Sequence, residues 1–316
     1  MSLNTETVIG TRIVQPTFVR EKLRLPIDYS PTRKKTHFVN CFLDSGVFAC
    51  WKNGQTLDID EYIDYIKRNS DWIECYACLD KIPAEPGRYP TKAEVEDSAK
   101  VSYDNHQYMK AAGLHPIPIY HQGEELHHLE RYLDDNEPYV GISPQEDLLS
   151  WRGLDPIKWL DRVFTHITDK NGIPIVKTHG FGVMGPKLLR RYPWYSVDAT
   201  SFSWQANYGA IFVPKYINDK PDYLSDPNYV HVSANTKRTA TTYSSIKEKS
   251  KIQFGHLSRA QQDQVIRFVE EECGLTMVHV RECDNERRKA AITWWAKVVA
   301  ALDGNDRFLY RTKGFA

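Results

Sequence analysis

Short apolar runs alternate along the chain with stretches whose apolar positions recur every three or four residues. The runs are Phe38–Asp44, Trp72–Asp80, His115–His121, Pro138–Ser143, Ile175–Gly180 and Trp194–Asp198. Between them lie the periodic stretches Ile59–Arg68, Ala93–Ala112, Glu124–Leu133, Pro156–Ile167 and Pro186–Tyr192. Runs that are apolar on both faces read as buried parallel strands, and the periodic stretches as crossover helices. This strand-then-helix repetition predicts an α/β fold, a (β/α)8 TIM-type barrel with irregular insertions in its second half.

The second half is less regular. Residues 203–257 mix Tyr, Asn, Asp, Lys and Pro without a clear period, which predicts an insertion or lid with strands at Tyr208–Val213 and Tyr229–Val232. Regularity returns with a predicted helix Ser258–Cys273, strand Thr276–Arg281 and helix Asn285–Leu302. Residues 1–36 read as an extended lead-in. The whole of 1–316 is expected to form one barrel domain.

Composition narrows the function classes. The chain has 316 residues, with 41 Lys+Arg against 41 Asp+Glu, so its net charge is zero. That excludes a polybasic nucleic-acid coat and an acidic disordered chain, so any phosphate contact must use a local patch. Lys237, Arg238, Lys247, Lys249 and Lys251 form the densest such patch, and Arg287, Arg288 and Lys289 a second. The most apolar stretch, Ala290 to Leu302, contains Lys297 and falls short of the roughly 20 residues that a spanning helix needs. The N-terminus lacks the basic start and apolar core of a signal peptide. With scattered cysteines, these features predict a cytoplasmic protein with reduced thiols and no membrane association.

Several motifs are weaker than they look. Gly180, Gly182 and Gly185 match GxGxxG, but Asp198 follows too soon and the motif is not in the first unit, so a glycine turn is expected rather than a dinucleotide site. Cys75 and Cys78 should face opposite sides of a strand and cannot grip one metal. His127 and His128 should point to different sides of a helix, as a surface pair. No metal and no cofactor are predicted.

The sharper signal lies at the strand ends. In a (β/α) barrel these share one face, which carries the active site. Asp44-Ser45-Gly46, Asp80, His121-Gln122-Gly123, Gly141, His179-Gly180 and Asp198 all fall there. The bland reading of each Asp is a cap on the next helix or turn. Two carboxylates on separate strands suit displacement at an anomeric carbon, one as nucleophile and one as general acid/base. Gly46 leaves room for a flat base, and Phe48 can stack on it.

These elements resemble the tRNA-guanine transglycosylase superfamily, and more closely the shorter DpdA-like DNA-guanine transglycosylases of phages and bacteria. The resemblance spans roughly Phe38 to Gly209. It implies that Asp44 in the DSGVFA stretch is the general acid/base, with Ser45, Gly46 and Phe48 at the base. It implies that Asp80 reads the base edge, and that His121, Gln122, Gly141, His179 and Gly180 contact or shape the base site. The WYSVDATSF stretch resembles the segment whose Asp is the covalent nucleophile, hence Asp198. The implied activity is a pentosyltransferase that replaces guanine in DNA with a 7-deazaguanine such as 7-cyano-7-deazaguanine. The implied partners are nucleic acid and that base, and the implied setting for a phage enzyme is the bacterial host cytoplasm.

Two departures bear on substrate. The CxCxxC…H zinc site of the tRNA enzymes is missing after Asp198, which favours DNA over tRNA. The family Gln after DSGGF is Ala49 here. A tRNA-guanine transglycosylase, a base-releasing N-glycosidase on the same barrel, and a non-catalytic nucleic-acid binder remain as alternatives. Retention of both Asp44 and Asp198 speaks against the last.

Overall fold

The computed structural model describes residues 12–14, 18–19, 41–71, 73–144, 155–170, 172–183, 186–198, 205–234 and 251–303. Its fold is mixed α/β. Two compact units appear: one holds the described residues of 12–183 and 192–198, the other those of 186–191 and 205–303.

In the first unit all six apolar runs contain strands: β3 (Cys41–Asp44), β4 (Ile73–Tyr76), β5 (Ile119–His121), β6 (Tyr139–Ser143), β7 (Lys177–Gly180) and β8 (Ser196–Val197). β3 pairs with β4, and β5, β6, β7 and β8 pair in series, every pair parallel. A parallel bridge from Ala77 to Ile117 joins the two groups. The backbone bonds Cys78 N to Ile117 O and Ile117 N to Tyr76 O, both 2.8 Å, make the join continuous. Ahead of these, β1 (Arg12–Val14) pairs antiparallel with β3, and β2 (Phe18–Val19) antiparallel with β8. One short N-terminal stretch thus ties both edges of the parallel sheet, meeting the hydrogen-bonding needs that exposed edges leave open.

The crossover helices are α2 (Ile59–Arg68), α3 (Lys92–Ala111), α4 (Leu126–Asp134) and α5 (Pro156–His166), after a short α1 (Val47–Lys52). Local chemistry starts them. Asp58 accepts the amides of Asp60 and Glu61, Thr91 and Glu94 form a capping box, and Asp155 caps α5 ahead of Pro156. Strand alternation then sorts the side chains. Leu43 and Cys78 pack with Tyr62, Ile66 and Met109 under α2 and α3. Phe42, Ala77, Ile117 and Ile119 form a separate cluster with Cys75, Tyr139 and Phe181. Cys75 and Cys78 thus lie on opposite faces of their strand segment.

In the second unit α6 (Pro186–Arg191) is followed by β9 (Ala210–Val213), β12 (Asn228–His231) and β13 (Lys251–Gln253). β12 pairs antiparallel with β9 and parallel with β13. The hairpin β10 (Lys215–Ile217) and β11 (Lys220–Asp222) turns through Asn218 and Asp219, both at positive φ. α7 (Arg259–Arg267), α8 (Met277–Glu282) and α9 (Asp284–Asp303) complete it, with Trp294 and Trp295 against Phe212. The stretch Thr276–Arg281, expected as a strand, is the helix α8. Thr276 caps it, and Arg287 donates to the carbonyls of Val280 and Arg281 that end it. These tertiary bonds override the β preference of its two valines. No helix among the described residues is long and apolar enough to cross a membrane.

Candidate active site

Asp44 ends β3, and the chain then turns through Gly46 at φ 73 into α1. A side chain at Gly46 would be strained in that left-handed conformation. The Asp44 carboxyl accepts the amides of Ser45 and Gly46. Burial, reinforced by the charges of Asp198 and Asp80, nonetheless pushes its pKa up to about 7. Two other sequence-predicted carboxylates, Asp80 four residues past β4 and Asp198 just past β8, therefore act on Asp44.

Asp80 is engaged on both oxygens. Ser45 Oγ donates to Oδ1 at 3.2 Å, and His121 Nε2 lies 3.0 Å from Oδ2. The other imidazole nitrogen, Nδ1, lies 2.9 Å from Glu124 Oε1. Burial disfavours charge on His121, but Glu124 and Asp80 outweigh it and push the pKa up to about 10. A buried imidazolium is thus clamped between two carboxylates. With both ring nitrogens committed, His121 fixes Asp80 rather than facing a ligand itself. Gln122 is buried beside it, its amide bonded to Ser143 O.

Asp198 is buried just past β8, its amide bonded to Gly180 O. Its Oδ1 accepts the Gly182 amide at 2.8 Å. Gly182 sits at φ 70, which aims that amide. The GxG stretch therefore grips a carboxylate of its own chain. Gly180 has no room for a side chain, because a Cβ there would lie 2.9 Å from Val183 Cγ2.

His179 is fully buried on β7. Its Nδ1 lies 2.5 Å from Ser196 Oγ, which also bonds Tyr139 Oη. Its Nε2 lies 3.7 Å from Asp198 Oδ1. The Gly182 amide and the His179 ring thus both face Oδ1 of Asp198.

Gly141 and Phe48 take less direct places. The Gly141 amide is spent on Pro118 O at 2.7 Å, and a Cβ there would lie 2.4 Å from the Phe181 ring. Its smallness makes room for Phe181, which is half-buried and packs edge-on against Phe42 and His179. Phe48 is 52% exposed on α1, its ring 5.7 Å from that of Trp51.

The predicted phosphate patches fare differently. Lys237, Arg238, Lys247 and Lys249 lie outside the described residues, and for Lys251 only the backbone in β13 is described. The second patch is not a free cationic run. Arg287 is buried and gives its guanidinium to Ala206 O, Val280 O, Arg281 O and Asp284. Arg288 bonds Asn285 and Asn207, and Lys289 bonds Glu286.

The site adds Glu124, Ser196, Tyr139, Phe42 and Phe181 to the residues read from sequence. Two signals for them existed. Glu124 follows His121 by three positions, and Ser196 shares its strand face with Asp198. No family model matches the chain, and neither do any curated protein or solved structure.

Proposed function

We propose that the chain is a guanine transglycosylase that exchanges a base in DNA for a 7-deazaguanine through a covalent bond to Asp198, on a barrel formed by the curled parallel sheet. The observation that supports this best is the coupling of Asp44 and Asp198 in one buried site, with Asp44 poised near neutrality. A pKa near the working pH suits a group that must both give and take a proton.

In this reading Asp198 Oδ2 attacks the sugar C1′. The C1′–O bond forms as the C1′–N9 bond breaks, and the bonding pair leaves with guanine, which takes the Asp44 proton. The incoming base returns a proton from its N9 to Asp44 and attacks C1′, releasing the Asp198 carboxylate. Excess negative charge, from Asp80, Glu124 and Asp198 against the His121 imidazolium, favours the oxocarbenium-like transition state. Asp80, held by Ser45 and His121, keeps lone pairs for the N–H edge of a guanine-like base. A base inside a duplex must first be flipped out, at a cost of a few kcal/mol.

The test is incubation of the full chain with labelled guanine and either duplex DNA or tRNA. Label entering DNA supports the reading, and label entering tRNA alone moves the substrate to RNA. Release of guanine with no incorporation of any supplied base replaces exchange with hydrolysis.

A further inference from the structure

Away from the carboxylate site, the starts of α3 and α4 bring together one carboxylate and two imidazoles. Glu96 lies in α3, and His127 and His128 in the first turn of α4. His128 Nε2 is 2.8 Å from Glu96 Oε2, and His127 Nε2 is 3.9 Å from Glu96 Oε1. All three donor groups fall within 4.8 Å of one another.

Neighbouring helical positions point about 100° apart, so adjacent histidines normally diverge, as the sequence pattern predicts here. Instead the two rings lie 4.0 Å centroid to centroid and both turn toward Glu96. His128 is buried while His127 is exposed, so the pair is not the surface pair expected.

We propose that Glu96, His127 and His128 form a binding site for a divalent transition metal of the zinc class, clipping α3 to α4. At metal–ligand distances of about 2.0–2.1 Å, tetrahedral donors stand about 3.4 Å apart. The observed separations of 2.8 and 3.9 Å bracket that value, so small side-chain rotations would complete the set. Two imidazoles and a single carboxylate suit zinc, cobalt or nickel and are poor for magnesium or calcium, which require more oxygen donors.

Lys100 Nζ, 3.3 Å from Glu96 Oε1, is exposed and free to swing away when a cation arrives. Three protein ligands leave one position for water or for an anionic ligand.

The test is calorimetric titration of the chelator-treated full chain with zinc chloride, with cobalt chloride as a spectroscopic check. Variants are His127→Ala and Glu96→Gln. Both change side chains with exposed surface, and their melting midpoints without metal report whether the fold survives. The expected result is one metal per chain, a rise in melting midpoint with zinc, and at least a roughly tenfold loss of affinity in each variant. Absence of zinc binding by the parent chain at micromolar concentrations overturns the proposal. So does parent-like affinity in either folded variant. Neither variant touches Asp44 or Asp198, so base exchange by the metal-free chain is read separately.

Discussion

The Phe42 ring on β3 stacks on the His179 ring on β7, with centroids 4.3 Å apart and planes 16° from parallel. Three strands stand between β3 and β7. In a flat sheet four steps of ~4.8 Å would separate them by about 19 Å. The contact therefore requires the sheet to curl until β3 faces β7, and the same curl brings Asp44 toward Asp198. Phe42→Ala should lower unfolding free energy by roughly 3–5 kcal/mol, as for other buried aromatics. Denaturant titration checks it, and a loss below about 1 kcal/mol would show that the stack does not hold the curl.

His121 makes stability depend on alkaline pH. In the fold it keeps its proton up to about pH 10, while an unfolded histidine loses it near 6.5. The fold binds the extra proton in that window, so its stabilisation is complete below about 6.5 and is lost as pH rises toward 10. The slope should approach 1.4 kcal/mol per pH unit, roughly the value of a single proton. Urea titrations across the window should show it, and His121→Gln should flatten it. An equal slope in the variant would place the proton elsewhere.

How much of this was legible in the sequence follows from where each signal resides. The strands were legible because a strand buried on both faces leaves an uninterrupted apolar run. Helix α3 was legible from its period, while its Thr91 capping box emerged only in the structure. Helix α8 was not, because its valines carry a strand preference and the bonds that end it come from Arg287, in the next helix. The clamp on His121 joins the end of β4, the end of β5 and the turn beyond, a juxtaposition that no local pattern encodes. The adjacency of Arg287, Arg288 and Lys289 suggested a phosphate patch because sequence records charge but not burial.

Arg287 should accordingly behave as a structural residue. Arg287→Ala leaves the carbonyls of Ala206 and Val280 without their donor, at a cost of roughly 1–3 kcal/mol for each unmet group. Thermal denaturation should show the loss. The salt dependence of DNA binding should stay as in the parent chain, because no phosphate is engaged there. A flattened salt slope in a folded variant would restore Arg287 to the interface.

In the proposed exchange reaction, Asp44 sets the pH range of the first chemical step. As general acid it must hold its proton, and its pKa of about 7 means that the protonated fraction falls through neutrality. Single-turnover adduct formation should therefore decline as pH rises through about 7, while DNA affinity stays level over the same range. A rate that is flat from about pH 6 to 8 would remove Asp44 from the proton-transfer role.

The most direct test of the central claim is intact-mass spectrometry of the chain, quenched in denaturant after reaction with a guanine-containing DNA oligonucleotide. The account predicts a species heavier by the oligonucleotide less one guanine, with peptide mapping placing the link on Asp198. Asp198→Asn should fold and bind DNA but give no such species. An adduct that persists in Asp198→Asn, or base exchange that proceeds in that variant at the parent rate, would contradict it.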